Sequence, residues 1–406
     1  MELKHKLYII YTIYFLDSVA TGLMFPSLHI YIRKLGESYS TAGVLGSTYL
    51  ALEMLAGPLI GSWSDIRGRR FVLLITLSVC VTCYFLLGLT SSIFAILILR
   101  NILGFIKHTQ VICKALIADL LPIEQQTEAY GRSSGYGTLG FVIGPALGVV
   151  ISKMDNGFLY VCCFASFLFV ISIVLVLILP DNPKTTDKYT NISVLSLITI
   201  HKEFLQAMRK LLKINWTTYG GTFLIRFLFA ISAAIITSNH SLYLHKKYNQ
   251  SHNNIDYTIS ILATVGMLCS LSMGNITRTF YKNDHNCFLR ICHSFCLMAA
   301  CSVGFYLAPD LYTFYAILVP FAISNTILRI VTMELMITKS KIDEKGSLSG
   351  ASNSILLIAK FITPFSSDII GDIFGGNAVM LSGLVPALTG ALVCVYLTRR
   401  SKIKGN

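Results

Sequence analysis

Long apolar runs, broken by short polar connections, recur from one end of the chain to the other. They fall at 7–32, 41–62, 71–90, 93–116, 133–153 and 157–179. After a polar stretch they resume at 215–240, 255–275, 287–308, 311–336, 349–372 and 377–398. A helix needs about 20 apolar residues to cross the hydrocarbon of a bilayer, so each run is predicted to be a membrane span. A transmembrane β-barrel needs short alternating segments instead, and the sequence has none. The pattern therefore predicts an all-α membrane protein with twelve transmembrane helices. The polar stretch carries Asp181, Lys184, Asp187, Lys188, Lys202, Glu203, Arg209, Lys210 and Lys213. It divides the spans six and six, as parallel repeats of secondary transporters do. The expected domains are a six-helix bundle at 1–180, a cytoplasmic linker at 181–214, and a second bundle with a basic tail at 215–406. Within the linker, Ser193 to Leu212 reads either as an amphipathic surface helix or as a plain tether.

Composition sharpens this picture. Only 13% of residues are charged and 54% are hydrophobic, against about 25% charged in soluble domains. The formal charge of +13 sits mostly in the short connections, where the positive-inside bias accounts for it without nucleic acid. With both termini cytoplasmic, roughly 21 Lys/Arg fall inside against about 5 outside, namely Arg33, Lys34, Lys153, Lys246 and Lys247; the reverse topology inverts that ratio. The basic stretch Met1 to Lys6 leads straight into the first span and reads as an uncleaved helix. Asn249-Gln250-Ser251 then lies on the outer face as a candidate N-glycosylation site, whereas Asn191-Ile192-Ser193 lies in the cytoplasmic linker. Most of the eleven cysteines lie in apolar runs, where a thiol acts as a small hydrophobe. No metal site, cofactor or catalytic nucleophile–base pair is expected, and an enzyme is not expected. The bilayer and a small-molecule substrate are the expected partners, and a monomer the expected state.

Several charged and glycine-rich positions carry candidate chemistry. Between the second and third spans stands Gly61-Ser62-Trp63-Ser64-Asp65-Ile66-Arg67-Gly68-Arg69-Arg70. So short a connection needs glycine to reverse the chain, and Asp65 at the membrane edge needs an arginine or a helix N-terminus opposite it. In the fifth span, Gly140, Gly144 and Gly148 flatten one face for close packing while Pro145 bends the helix. Asp17 lies deep in the first span, where an unpaired carboxylate is costly, so it should pair, face a cavity or be protonated. Arg100, Lys107 and Lys114 recur every seventh residue and are expected on one face of the fourth helix, with His108 beside Lys107. Arg226, Arg329 and Lys360 add intramembrane bases, opposed by fewer acids: Asp17, Glu53, Glu334 and Asp368. That excess suggests an anionic substrate, unless the bases pair internally, as Arg329 could with Glu334.

The loop from Gly61 to Arg70 resembles the signature loop of the major facilitator superfamily. The resemblance implies that Asp65 faces the N-terminus of the eleventh span. It further implies that Arg69 pairs with an acid at the end of the fourth, here Asp119 ahead of Pro122. Together with Gly61, Gly68 and Arg70 these residues would form a cytoplasmic lock, closed in the outward-open state and broken in the inward-open one. The corresponding run in the second half, Gly274-Asn275-Ile276-Thr277-Arg278, lacks the aspartate. Gly140 to Gly148 resembles the fifth-helix motif of the superfamily's antiporters. Arg100 with Gly104 is similar to its fourth-helix arginine motif, linked there to proton movement. Asp17 through Pro26 resembles the first helix of tetracycline-type drug:proton antiporters, although His293 stands where those have an acid in the ninth span. The stretch Gly104 to Leu120 looks most like the animal branch of major facilitator superfamily domain-containing protein 9, a likeness that carries no substrate with it. The resulting expectation is secondary transport of a small organic solute by alternating access, with proton-linked exchange. Asp17, Arg100, Lys107, His108, Arg226, Arg329 and Glu334 are the expected cavity residues. A transporter-fold sensor or scaffold that moves nothing is the alternative.

Overall fold

The computed structural model describes residues 3–36, 39–152, 154–179, 208–209, 216–248, 252–282, 284, 287–338 and 344–403. The linker at 181–214, apart from Met208 and Arg209, lies outside the described residues, as do Asn191 and Asn249. The helices in chain order are α1 (Leu3–Lys34), α2 (Tyr39–Arg67), α3 (Arg69–Leu89), α4 (Ile93–Ile106), α5 (Thr109–Leu120), α6 (Ile123–Ser152) and α7 (Gly157–Ile178). They continue with α8 (Trp216–Tyr248), α9 (His252–Leu271), α10 (Met273–Phe280), α11 (Phe288–Leu307), α12 (Leu311–Thr338), α13 (Lys345–Phe374), α14 (Gly376–Ser382) and α15 (Leu384–Ile403). No strand occurs among the described residues.

Among the described residues, eleven helical segments are long and apolar enough to cross a membrane, and twelve when the bent pair α9 and α10, at 59°, counts as one span. That agrees with the twelve runs read from hydropathy. Helices suit hydrocarbon because each satisfies its backbone N–H and C=O groups internally. Large apolar side chains such as Phe94, Phe167, Tyr312 and Leu392 stay exposed on the protein surface, as lipid-facing positions must.

Contacts cluster into two units. The first comprises Met1–Pro122, Tyr136–Ile214 and Ser340–Ser354. Its core includes Leu73, Leu77 and Tyr84 of α3 against Val161, Ala165 and Phe169 of α7, all buried, with Tyr84 stacked on Phe169 at 5.4 Å. The second comprises Ile123–Gly135, Asn215–Lys339 and Ile355–Asn406. An aromatic cluster fills its core: Phe305 meets Phe314 at 4.8 Å and Phe321 at 5.8 Å, and Tyr243 stacks on Phe314 at 5.9 Å. Asp310 starts α12 by accepting the Thr313 amide at 3.0 Å. The Thr313 hydroxyl and amide bonds hold its carboxyl below the usual carboxylate range.

The glycines of α6 lie against α1. A Cβ on Gly140 would stand 2.7 Å from the Phe15 carbonyl, one on Gly144 2.8 Å from Gly22 Cα, and one on Gly148 2.6 Å from the Leu23 carbonyl. Pro145 completes the contact, its Cδ lying 2.8 Å from where a Gly22 Cβ would be. Backbone against backbone cannot yield as a side chain can. Gly144→Ala is therefore expected to destabilise the protein by about 1–3 kcal/mol, as overpacking does, measured as a lower unfolding midpoint in detergent. A variant as stable as the parent would show that the two helices can move apart freely.

Candidate functional site

The reversal between α2 and α3 consists of Gly68 alone, at φ +98°, a conformation that side chains rarely adopt. This tight turn brings the last turn of α2 and the first of α3 together at the start of α13, all within the first unit. Asp65 Oδ1 accepts the Gly346 amide at 2.8 Å, and Oδ2 accepts the Ser347 amide and hydroxyl, each at 2.8 Å. A carboxylate on the first amides of a helix satisfies donors that have no intrahelical partner and meets the positive end of the helix dipole. Arg69 lies 2.5 Å from Asp65 and 3.0 Å from Asp119, and donates to Ser64 Oγ at 2.6 Å. Lys345 reaches Asp119 at 3.5 Å and the Ala118 carbonyl at 2.7 Å. Gly61 and Gly346 touch through their backbones, so a side chain at either would displace the helix. Arg70 turns the other way and caps α7, donating to the Val176 and Leu177 carbonyls at 3.1 and 2.7 Å. Gly61, Asp65, Gly68, Arg69 and Asp119 are thus brought together, with Arg70 beside them on another task.

The fourth span departs from expectation. It is not one helix over 93–116 but two, α4 and α5, interrupted at Lys107 (ψ 78°) and His108 (φ −118°, ψ 31°). Arg100 and Lys107 both neighbour Tyr49 and Tyr84 across the interruption, and each of the three bases has its own nearest contact. Arg100 lies over the Tyr49 ring of α2 at 4.2 Å, and Lys114 is 6.0 Å from the Tyr14 ring of α1. Lys107 turns to α1, with Nζ 3.2 Å from Asp17 Oδ1 and 2.6 Å from Thr21 Oγ1. Gln110 donates to Asp17 Oδ2 at 3.2 Å. Asp17 is 1% and His108 2% exposed. The buried carboxylate expected in the first span has its cation, supplied at the break.

In the second unit Arg226 is fully buried on α8 and donates to Thr332 Oγ1 at 2.7 Å and to the Arg329 carbonyl at 3.3 Å. Glu334 is bonded to Arg290, which approaches its two oxygens at 3.3 Å each. Arg290 also holds Asp284 at 3.1 Å, and Asp284 accepts the Leu289 and Arg290 amides to cap α11. Sequence reasoning passed over Arg290 and Asp284. Their signal was positional: Arg290 opens the ninth span as Arg69 opens the third, and Glu334 ends the tenth as Asp119 ends the fourth. Cys287 belongs to the same cluster, its Sγ accepting from Arg290 at 3.1 Å. The second copy of the loop motif, without its aspartate, uses Arg278, which pairs with Glu128 of α6 at 2.7 Å.

A model of the Major Facilitator Superfamily matches residues 10–364. Over 262 residues the chain is 23% identical to the quinolone resistance protein NorA of Staphylococcus aureus (strain MSSA476), covering 64% of this chain and 63% of that protein, less than two thirds of its length. Over 176 residues it is 27% identical to the class H tetracycline resistance protein of Pasteurella multocida, covering 42% of this chain and 44% of that one. The human organic anion transporter MFSD10 (TETRAN) superposes with a TM-score of 0.78 at 16% identity, over 97% of this chain and 100% of that one. The proton:xylose symporter XylE superposes at 0.72 and 12% identity, over 96% and 94%. At such identities the two superpositions speak to fold alone. The chain belongs to the Major Facilitator Superfamily, a family of multi-pass membrane transporters and not of enzymes.

Proposed function

We propose that this protein is a secondary active transporter that moves a small organic solute by alternating access, driven by proton-linked exchange. The observation that carries the reading is the buried Asp17–Lys107 pair. Ionisable groups at membrane depth are costly and persist chiefly on ion and substrate pathways. A carboxylate held by Lys107 and the Gln110 amide can exchange that lysine for a proton. Arg100 in the same unit adds a second cation and favours an anionic solute. The name of MFSD10 as an organic anion transporter is in keeping with an anionic solute, and that of XylE as a proton:xylose symporter with linkage to protons. Asp65, Arg69 and Asp119 serve as the lock of the transport cycle.

The test is flux in proteoliposomes. Across a panel of organic anions, a pH gradient should drive uptake by the parent protein, and Asp17→Asn should lose the gradient-driven component while retaining counterflow. Gradient-driven flux that survives Asp17→Asn undiminished would overturn the reading.

A further inference from the structure

The break in the fourth span has chemistry of its own. α5 begins at Thr109 inside the first unit, and the first turn of a helix offers amide N–H groups with no intrahelical acceptor. Two side chains at this point are buried and lack a hydrogen-bond partner at one atom: His108 at Nε2 and Thr109 at Oγ1, with exposures of 2% and 1%. Unpaired polar atoms buried to that degree are uncommon and call for a ligand or a catalytic role. Lys107 adds a cation beside them. Interrupted membrane helices elsewhere use such half-helix N-termini to hold anionic groups.

We propose that the break between α4 and α5 binds the carboxylate of a small organic acid, which takes the place of Asp17 on Lys107. The α5 amides and Thr109 Oγ1 complete the hydrogen bonds of the bound carboxylate. The proposal rests on the transport reading above and names its solute class and site. Asp17, displaced from Lys107, faces Gln110 and Cys113 of α5 and Cys80 and Tyr84 of α3; Tyr49, beside Glu53 on α2, flanks Lys107 itself. With its lysine taken, the carboxyl accepts a proton from water. The charge balance closes: Asp17 carboxylate and Lys107 ammonium sum to zero before binding. Neutral Asp17, Lys107 ammonium and the substrate carboxylate sum to zero after it. Binding thus takes up one proton per acid, so the exchange in the reading above is, at this site, exchange of the anion for hydroxide, which equals co-transport with a proton in charge and proton count.

The experiment measures binding without transport, as the shift in unfolding midpoint of the purified full chain in detergent. The probes are straight-chain monocarboxylates from propionate to dodecanoate, plus benzoate, each beside its neutral amide. At least one acid, and not its amide, should stabilise the protein, with affinity rising about tenfold for each pH unit lowered while Asp17 is ionised. Asp17→Asn should bind that acid more tightly at neutral pH and lose the pH dependence. Lys107→Gln leaves a buried carboxylate alone, so the neutral pair Lys107→Gln/Asp17→Asn supplies a folded control, and it should lose the response to acids. The inference is overturned if no acid stabilises the parent, if acid and amide act alike, or if the double variant still responds. Acid binding without any flux in proteoliposomes would keep this site and sink the transport reading. Flux of a non-acidic solute without acid binding would do the opposite.

Discussion

Arg290→Gln is expected to be among the most damaging single changes in the chain, at about 3–5 kcal/mol, the cost of removing one partner from a buried ion pair. Two carboxylates depend on this guanidinium, Asp284 and Glu334, with side chains 6% and 5% exposed. Neither can turn to water. Glutamine offers a single amide where the guanidinium makes bonds to Asp284, Glu334 and Cys287 at once. Glu334→Gln alone should cost less, because Arg290 keeps Asp284 and its bond to the Asp284 carbonyl. The double variant Arg290→Gln/Glu334→Gln should recover about 1–3 kcal/mol relative to the sum of the singles, the coupling that contacting residues show. Equilibrium unfolding in mixed micelles supplies the four values of the cycle. Strict additivity would mean that the two side chains do not act as a pair.

Much of this molecule was legible in its sequence because the bilayer restricts the options so severely. A span of about 20 apolar residues has one solution in hydrocarbon, so the helices could be counted before any was seen. The contact of Asp65 and Arg69 at the start of α13 was legible for a different reason. A one-residue turn at Gly68 and a carboxylate at a helix end permit few partners, and the resemblance of the loop supplied the rest. The interior pairs were only half legible. Burial cost indicates that Asp17 and Glu334 need partners, yet it cannot name a partner ninety or forty residues away. Lys107 and Asp17 were both expected in a cavity, but not on each other. Glu334 was weighed against Arg329 on its own helix, whereas its partner is Arg290 on the preceding one, which looked like an ordinary basic anchor at a span's start. The interruption at Lys107 was the least legible feature. It has no proline, and the seven-residue spacing of bases across it reads as one unbroken helix. Comparing the two halves position by position would have exposed Arg290, since the arginine that opens a third span and the acid that closes a fourth recur at 290 and 334.

Asp65→Asn is expected to loosen the start of α13 by about 3 kcal/mol. Asp65 accepts three hydrogen bonds there and holds Arg69. Bonds to a charged acceptor contribute about 1.5–3 kcal/mol each, and the helix dipole adds up to about 2 kcal/mol in partly buried geometry, but these gains overlap and do not sum. Asparagine retains one acceptor oxygen and turns an NH2 group toward donors. Because Asp65, Gly346 and Ser347 belong to one unit, the effect is readable locally, as amide hydrogen exchange over residues 344–350. A loss of about 3 kcal/mol corresponds to exchange faster by roughly two orders of magnitude, at 1.4 kcal/mol per factor of ten. Asp119→Asn should do much less. Its side chain is 18% exposed, water can replace part of what it gives Arg69, and the Asp65 bonds to α13 remain. Arg69→Lys falls between the two, since an ammonium cannot span Asp65, Asp119 and Ser64 together as the planar guanidinium does. The expected order of exchange rates is therefore Asp65→Asn, then Arg69→Lys, then Asp119→Asn. An inverted order would place the strength of this contact in the Arg69–Asp119 pair and not in the carboxylate at the helix end.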